Sequence, residues 1–239
     1  MNPHGWLQPI SLIFIAAMLL YILAVKLWRR MAIGSSRKEP IPAPTHDIVA
    51  PASGWEAGER HTAVFAGGCF WGVQSVFQRV KGVLATTVGY AGGHKATAIY
   101  RAVSSMNTGH AEAIEIVYDP ALVSFGTLLR IFFSVVHDPT QLNRQGADVG
   151  TQYRSAIFYT TEEQREAAEA YVTQLDAAQI FSGKIVTQIT PLIEFFAGED
   201  YHQDYALKNP DNPYIQVCDI PKIASLKQQF PDLFEEYTL

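Results

Sequence analysis

One apolar stretch near the amino terminus constrains this chain more than any other feature of its sequence. No charged side chain occurs from Asn2 to Val25. As a helix, the run from Leu7 to Leu27 would span about 31 Å, which matches the hydrocarbon core of a bilayer. We therefore predict one transmembrane helix in residues 1–30, retained as an N-terminal membrane anchor. A buried helix of a soluble core, or a misassigned start codon, is the alternative.

The residues that flank this run predict its orientation. A cleaved signal peptide is not expected, because MNPHGW contains no Lys or Arg and the run ends in KLWRR. Trp6 and Trp28 would mark the two membrane interfaces. The basic residues lie only on the carboxyl side, so the positive-inside rule places the rest of the chain in the cytoplasm. A periplasmic location is the alternative.

Composition separates a linker from a folded domain. Residues 31–59 are rich in Pro, Gly, Ser and Ala and lack apolar periodicity, which predicts a semi-extended linker. Residues 60–239 are then the folded domain. Five basic residues and one acid give residues 1–45 a charge of +4. Because the whole chain carries −5, residues 46–239 carry −9. Such an acidic body, with no basic stripe, excludes nucleic acid as an expected partner.

Local patterns in the domain predict the order β-α-β-β-α-β. Short β-branched and aromatic runs alternate with apolar residues at helical spacing. We predict strands at 62–66, 83–90, 111–118 and 154–159, helices from Phe70 and from the cap Ser124 to about Val136, a further helix from Thr161 to Asp176, and a strand near Ile185 to Ile189. This order is typical of an α+β, ferredoxin-like split βαβ plait. The Pro-containing tail from Phe195 to Leu239 should be irregular, with short helices, and should wrap the domain.

The first cysteine occupies a chemically favourable position. Cys69 follows two glycines and begins the predicted helix, where free N–H groups and the helix dipole favour a thiolate. A small buried hydrophobe is the equally open alternative. With only one more cysteine, Cys218, the chain cannot form a disulfide framework, and neither cysteine has metal-ligand spacing. We predict no metal site.

The sequence GGCFWG, from Gly67 to Gly72, resembles the active-site motif of the A-type peptide methionine sulfoxide reductases. Further matches to that family occur in the same order along residues 60–239: GYAGG from Gly89, Tyr100, TGHAE from Thr108, YDP from Tyr118, HDP from His137 and GTQYRS from Gly150. The resemblance implies thiol-dependent reduction of methionine-S-sulfoxide, free or in proteins, as a repair reaction under oxidative stress.

The resemblance implies a role for each matched residue of the reaction. Cys69 would attack the substrate sulfur and become a sulfenic acid. Glu112 would be the proton donor, and Tyr100 and Tyr153 would hydrogen-bond the sulfoxide oxygen. The strand period places Glu112 on the apolar face of Ile114, where a carboxyl pKa should rise. A solvated strand-end Glu, and tyrosines that are only core aromatics, are the alternatives.

Three more residues are implied in substrate binding. Phe70 and Trp71 would wall the pocket for the ε-methyl group, although helix geometry leaves one of them structural. Asp148 would orient the substrate main chain or a water molecule. An ordinary loop acid beside Gly150 is the alternative for Asp148.

The oxidised Cys69 must then be reduced. In the family a second cysteine often forms a disulfide with the first, and thioredoxin resets both; Cys218 is the candidate here. Direct attack by an external thiol is the alternative, since access of one sulfur to the other controls exchange. The expected partners are oxidised proteins, free methionine sulfoxide and a thioredoxin-like reductant, and the reaction needs no bound cofactor.

Two other functions stay open at this point. A Cys-dependent hydrolase or acyl transferase would pair Cys69 with His110 or His202, although no spacing supports either pair. A tethered domain that only binds methionine-rich partners would not need the thiol at all.

Overall fold

The β-branched and aromatic runs form one six-stranded sheet in the computed structural model, which describes residues 39–105 and 107–238. Five of the six strands precede residue 192. The sheet strands are β1 (His61–Gly67), β2 (Val83–Ala91), β3 (Ala111–Tyr118), β6 (Ser155–Tyr159), β7 (Gln188–Pro191) and β8 (Phe195–Ala197); a separate hairpin pairs β4 (Arg144–Gln145) with β5 (Asp148–Val149). The order is β7-β6-β1-β3-β2-β8, and only β6 and β7 run parallel.

Helices connect these strands and follow them. They are α1 (Phe70–Phe77), α2 (Tyr100–Val103), α3 (Phe125–Ile131), α4 (Glu162–Ala177), α5 (Tyr205–Lys208) and α6 (Ile220–Gln229), with π-helical turns at Phe132–Val136 and Ile215–Asp219 and 3₁₀ turns at Lys95–Thr97, Thr151–Tyr153 and Asp200–His202. The predicted cap Ser124 is confirmed, and Thr161, where a helix is predicted to begin, also caps its helix. Ser124 Oγ accepts from Thr127 N at 3.1 Å, and Thr161 Oγ1 accepts from Gln164 N at 3.3 Å.

The two faces of the sheet differ in side-chain size. One face carries large residues, such as Phe65, Tyr90 and Ile114, which form the main core together with the helices. The other face is built mostly of alanines around Phe158 and is covered by side chains of the β7–β8 region. Strand alternation places Glu112 on the large-residue face with Ile114, as predicted.

The predicted fold class is wrong in its sheet and its tail. The structure is a mixed α/β fold whose sheet gains a parallel strand, β7, at one edge and a strand from the tail, β8, at the other. The tail therefore contributes to the sheet instead of only wrapping it. The strand β8 was not predicted, because three residues are too few to show the alternation of apolar and polar residues that is typical of a strand. Its position is fixed by pairing with β2, for example of Ala197 with Gly89. The strand predicted at Ile185 to Ile189 begins later, at Gln188.

The described residues do not support the membrane assignment. Within residues 39–105 and 107–238, no helix combines the length and the apolarity needed to cross a membrane. The longest of the described helices, α4, has 16 residues and carries Glu162 and Glu163 in its first turn. The transmembrane helix predicted in residues 1–30 lies outside the described residues. The assignment to a single-pass membrane protein, with a cytoplasmic or periplasmic domain, is therefore not retained.

Part of the predicted linker is packed on the domain. Ile41 is buried in the main core, and its carbonyl accepts from Arg130 Nε at 2.6 Å. The Tyr171 hydroxyl donates to Pro42 O at 2.7 Å. Asp47 accepts from a backbone N–H in the first turn of α3 at 2.7 Å. These contacts cross from residues 41–47 to α3 and α4, so this stretch belongs structurally to the domain.

Candidate active site

Cys69 lies where β1 turns into α1. Gly68 has a φ of +94°, and a Cβ at this position would lie 2.8 Å from the Gln145 side chain, so glycine is required. Cys69 is the residue immediately before α1, and its thiol lies close to the Trp71 N–H. The structure thus places the thiol at the helix start, as the sequence predicts.

The prediction of a lowered thiol pKa at Cys69 is wrong for this structure. The residue as a whole is only partly buried, but its sulfur lies among protein atoms, and this burial raises the pKa well above its ordinary value. The carboxyl groups of Glu112, Asp219 and Asp148 raise it further wherever they are ionised, and the Trp71 N–H lowers it only in part. Burial and carboxyl groups therefore outweigh the helix end.

Glu112 is a buried carboxyl directed at the first turn of α1. Its side chain is 2% exposed, and Oε2 accepts from Phe70 N at 3.1 Å. Burial raises its pKa to about 8, with a smaller contribution from Asp148, although the Phe70 N–H lowers it. The carboxyl is therefore mostly protonated at neutral pH and able to donate, as the strand pattern predicts.

The two predicted phenols reach the site from separate turns. Tyr100 begins α2 and Tyr153 ends a 3₁₀ turn, and both are partly buried. Burial raises the pKa of each hydroxyl, and the charges of Glu112 and Cys69 raise it further, so both stay neutral donors. Glu199, which the sequence analysis missed, accepts from Tyr100 N at 2.8 Å and so fixes the start of α2.

The two aromatic residues after Cys69 have different surroundings. Phe70 is 1% exposed and contacts the rings of Tyr90 and His202. Trp71 is partly exposed and stacks on Tyr205, with ring centroids 3.8 Å apart and planes 10° apart. Phe70 therefore belongs to the core beneath the site, and Trp71 presents an aromatic surface at its edge.

Asp148 is bound to the carboxyl-terminal tail. Its Oδ2 accepts from the Tyr214 hydroxyl at 2.6 Å. The Tyr214 ring also meets Trp71 edge-on, at 6.1 Å between centroids. Tyr205 and Tyr214 were not predicted as site residues, because an aromatic residue in a Pro-containing tail carries no periodic signal. The cluster of Trp71, Tyr205, Tyr214 and Asp148 joins α1, the tail and the β4–β5 hairpin.

A narrow cleft brings the two cysteines together. Its volume is about 20 Å³, enough for roughly one water molecule. Cys69, from the start of α1, and Cys218, from the π-helical turn in the tail, both line it, and both are free thiols. Its other lining residues are Val136, Gln145, Gly146, Ala147, Asp148, Tyr214 and Lys222. The sequence does not predict that the two cysteines line one cleft, because 148 residues separate them along the chain.

The histidines of the hydrolase alternative make hydrogen bonds to groups other than Cys69. His110 Nε2 hydrogen-bonds the His94 carbonyl at 3.1 Å. His202 Nδ1 accepts from Trp71 Nε1 at 3.2 Å. Burial lowers the pKa of both imidazoles. Within the described part of the chain, no three His, Cys, Asp or Glu side chains are grouped to hold a metal ion.

Comparison with known proteins matches this arrangement to a family. The family model described as peptide methionine sulfoxide reductase matches residues 61–233. A peptide methionine sulfoxide reductase of Synechocystis sp. is 52% identical over 206 residues, covering 84% of this chain and 95% of that protein. One from Mesorhizobium japonicum is 54% identical over 175 residues, covering 73% and 90%.

Solved structures show the same likeness. Methionine sulfoxide reductase A of Corynebacterium diphtheriae superposes with a TM-score of 0.55 at 37% identity, covering 75% of this chain and 87% of that one. Reduced Mxr1 from Saccharomyces cerevisiae gives a TM-score of 0.60 at 30% identity, covering 68% and 93%. The predicted family is confirmed: the chain belongs to the peptide methionine sulfoxide reductases and is an oxidoreductase that acts on methionine sulfoxide.

Proposed function

We propose that the chain reduces the S epimer of methionine sulfoxide, free or in proteins, by attack of Cys69 on the sulfoxide sulfur. The sulfoxide is reduced to the thioether, and Cys69 is oxidised to a sulfenic acid that carries the transferred oxygen. One observation carries this proposal: a buried, mostly protonated Glu112 is hydrogen-bonded to the turn that begins at Cys69. A neutral acid there can protonate the oxygen as negative charge develops.

Tyr100 and Tyr153 complete the proposed donor set. Both hydroxyls stay neutral, because burial and nearby negative charge raise their pKa. Neutral phenols can hydrogen-bond the sulfoxide oxygen in the ground state and more strongly as it gains charge. Glu199 supports this role by holding the backbone of Tyr100.

Trp71 is the proposed wall for the methyl thioether, and Asp148 orients the substrate. The Trp71 face is partly exposed, whereas Phe70 is buried and supports the turn through its N–H to Glu112. Soft sulfur and methyl groups pack well on an aromatic surface. Asp148, held by Tyr214, can accept hydrogen bonds from a substrate main chain or from water.

Cys218 is the proposed resolving cysteine. Both cysteines line one cleft of about 20 Å³, which supports an approach of one sulfur to the other. Attack by Cys218 on the sulfenic acid would give a disulfide, which a thioredoxin-like protein then reduces by thiol exchange. The proposed result is repair of oxidised proteins with electrons from thioredoxin and no bound cofactor.

A single experiment tests the reduction step. The full-length chain, wild type and Cys69→Ser, is incubated with each epimer of a methionine sulfoxide peptide and dithiothreitol, and methionine is quantified by mass. We expect consumption of the S epimer alone, lost in Cys69→Ser. Consumption of both epimers, or of neither, would contradict the proposal. Turnover of a chromogenic thioester by the same samples would favour the hydrolase alternative.

A further inference from the structure

The cleft between the two cysteines contains one basic side chain. Among its lining residues, which come from the described part of the chain, Lys222 is the sole cation and Asp148 the sole carboxylate. Lys222 lies in the first turn of α6, four residues after Cys218. The Lys222 side chain is only 13% exposed, so its charge is largely withdrawn from solvent. A buried ammonium group needs a compensating charge.

Asp219 supplies that charge. Its side chain is 0% exposed, and its Oδ1 lies 3.8 Å from Lys222 Nζ. Within residues 39–105 and 107–238, neither of its carboxylate oxygens accepts a hydrogen bond. The charge of Asp219 is therefore balanced by Lys222, because a buried carboxylate without a hydrogen-bond donor destabilises the fold unless a cation is near.

Both charged groups lie against the helix that begins at Cys69. A Cβ at Gly72 would collide with the Asp219 carboxylate and would lie 2.8 Å from Lys222 Nζ. Gly72 follows Cys69 by three residues, so the two positions share one face of α1. The missing side chain at Gly72 thus makes room for the ion pair next to the reactive thiol.

We propose that Lys222 stabilises the thiolate of Cys218 during disulfide formation and that Asp219 is the positioning residue for Lys222. This inference rests on the proposed resolving role of Cys218. In the step, the Cys218 sulfur bonds to the Cys69 sulfur and the S–O bond of the sulfenic acid breaks. The proton lost by Cys218 leaves with the hydroxide as water, so thiol and sulfenic acid give disulfide and water with no other reactant.

The charges around Cys218 explain why a cation is needed. Burial raises the pKa of the Cys218 thiol to about 11, and the charges of Asp219 and Asp148 add to this. Lys222 and the nearby Tyr214 hydroxyl lower it. Cys69, the remaining titratable group on the cleft, lines it from the start of α1. Without Lys222, the thiolate fraction near neutral pH would fall about tenfold for each unit of pKa.

The test follows the second step alone. Full-length wild type, Lys222→Met and Lys227→Met are oxidised with one equivalent of methionine sulfoxide peptide in the absence of reductant. Lys227 is the matched control, since it is an exposed lysine of the same helix. Disulfide formation is measured between pH 6.5 and 9.5 by alkylation and mass, timed from the release of methionine. We expect disulfide formation in Lys222→Met to be at least about fivefold slower than in wild type at pH 7.5. The rise of its rate with pH should occur at higher pH than in wild type, and Lys227→Met should match wild type in both respects.

Other outcomes overturn the inference. Lys222 would have a purely structural role if the rate of disulfide formation were unchanged in Lys222→Met. The same would follow if the rate were lower at every pH but rose over the same pH range as in wild type. Lys222→Arg keeps the charge, and we expect its rate to rise over the wild-type pH range; a shift like that of the Met variant would contradict the proposal. If circular dichroism shows Lys222→Met unfolded, Lys222→Gln replaces it. Absence of a disulfide in wild type would refute the resolving role of Cys218 itself.

Discussion

The sheet side and the tail side of Cys69 hold their carboxyl groups in opposite ways. On the sheet side, Glu112 accepts a hydrogen bond from Phe70 N at 3.1 Å, and burial raises its pKa to about 8. On the tail side, Asp219 accepts no hydrogen bond within the described residues and faces Lys222 instead, with a pKa raised to about 6. At neutral pH one group is mostly neutral and the other mostly charged.

This difference matches the two halves of the proposed cycle. Reduction of a sulfoxide needs a proton at the oxygen, which a neutral acid supplies. Disulfide formation needs an anionic sulfur, which a charged pair can stabilise. The two requirements would conflict at one carboxyl, because a single group cannot be protonated and ionised at the same pH. Two regions of the molecule meet at Cys69 and separate the tasks.

The largest effects should come from the two cysteines and should be of different kinds. Cys69→Ser removes the nucleophile, so we expect methionine formation to fall at least about a thousandfold. Cys218→Ser should still release one methionine per enzyme at close to the wild-type rate, but should lose turnover driven by thioredoxin. Rapid-quench mass analysis measures the first equivalent, and a coupled thioredoxin assay measures turnover. Loss of the first equivalent in Cys218→Ser would place the tail side in the reduction step.

Glu112→Gln should have the next largest effect. The amide keeps the size but has no acidic proton, so we expect the first equivalent to form about 10² to 10⁴ times more slowly. The wild-type rate should fall as pH rises past about 8, because Glu112 loses its proton there, and the variant should lack this limb. Single-turnover rates from pH 6 to 10 measure both effects. Glu115→Gln, on the opposite face of β3, is the control; an equal loss in that variant would break the assignment.

The same carboxyl should make stability depend on pH. The folded state keeps the Glu112 proton up to about pH 8, whereas the unfolded chain releases it near 4.5. The free energy of unfolding should therefore fall as pH rises through that window, by on the order of a few kcal/mol. Urea unfolding at pH 5 and pH 9 measures it. Glu112→Gln should show a smaller difference, and an equal difference would mean that other groups carry the effect.

The sequence predicts the sheet side much better than the tail side. Strand β3 shows period-two alternation over eight residues, so the face of Glu112 and the rise in its pKa follow from local pattern. The caps Ser124 and Thr161 follow from side-chain chemistry one turn away. The roles of Tyr100 and Tyr153 came from the family resemblance and stay proposals.

The tail side depends on contacts that no local pattern records. Cys218 and Cys69 share a cleft only because the tail returns to the start of α1. The strand β8 and the stacking of Tyr205 on Trp71 also depend on the return of the tail. The burial of Ile41 is a separate contact between residues far apart in sequence. The thiol pKa of Cys69 was mispredicted for this reason, since a helix end is visible in sequence, whereas burial of the sulfur and the approach of three carboxyl groups are not.

The smallest expected effect tests how the tail holds the substrate side of the site. Tyr214→Phe removes the 2.6 Å hydrogen bond to Asp148 but keeps the ring that meets Trp71. Without this bond Asp148 is held less firmly, and the free energy of substrate binding should weaken by about 1 kcal/mol. We therefore expect KM to rise about fivefold with kcat little changed. Tyr205→Phe, which keeps its stacked ring, is the control. A fall in kcat without a change in KM would mean that Tyr214 acts in the chemical step, and the separation between the sheet side and the tail side would no longer hold.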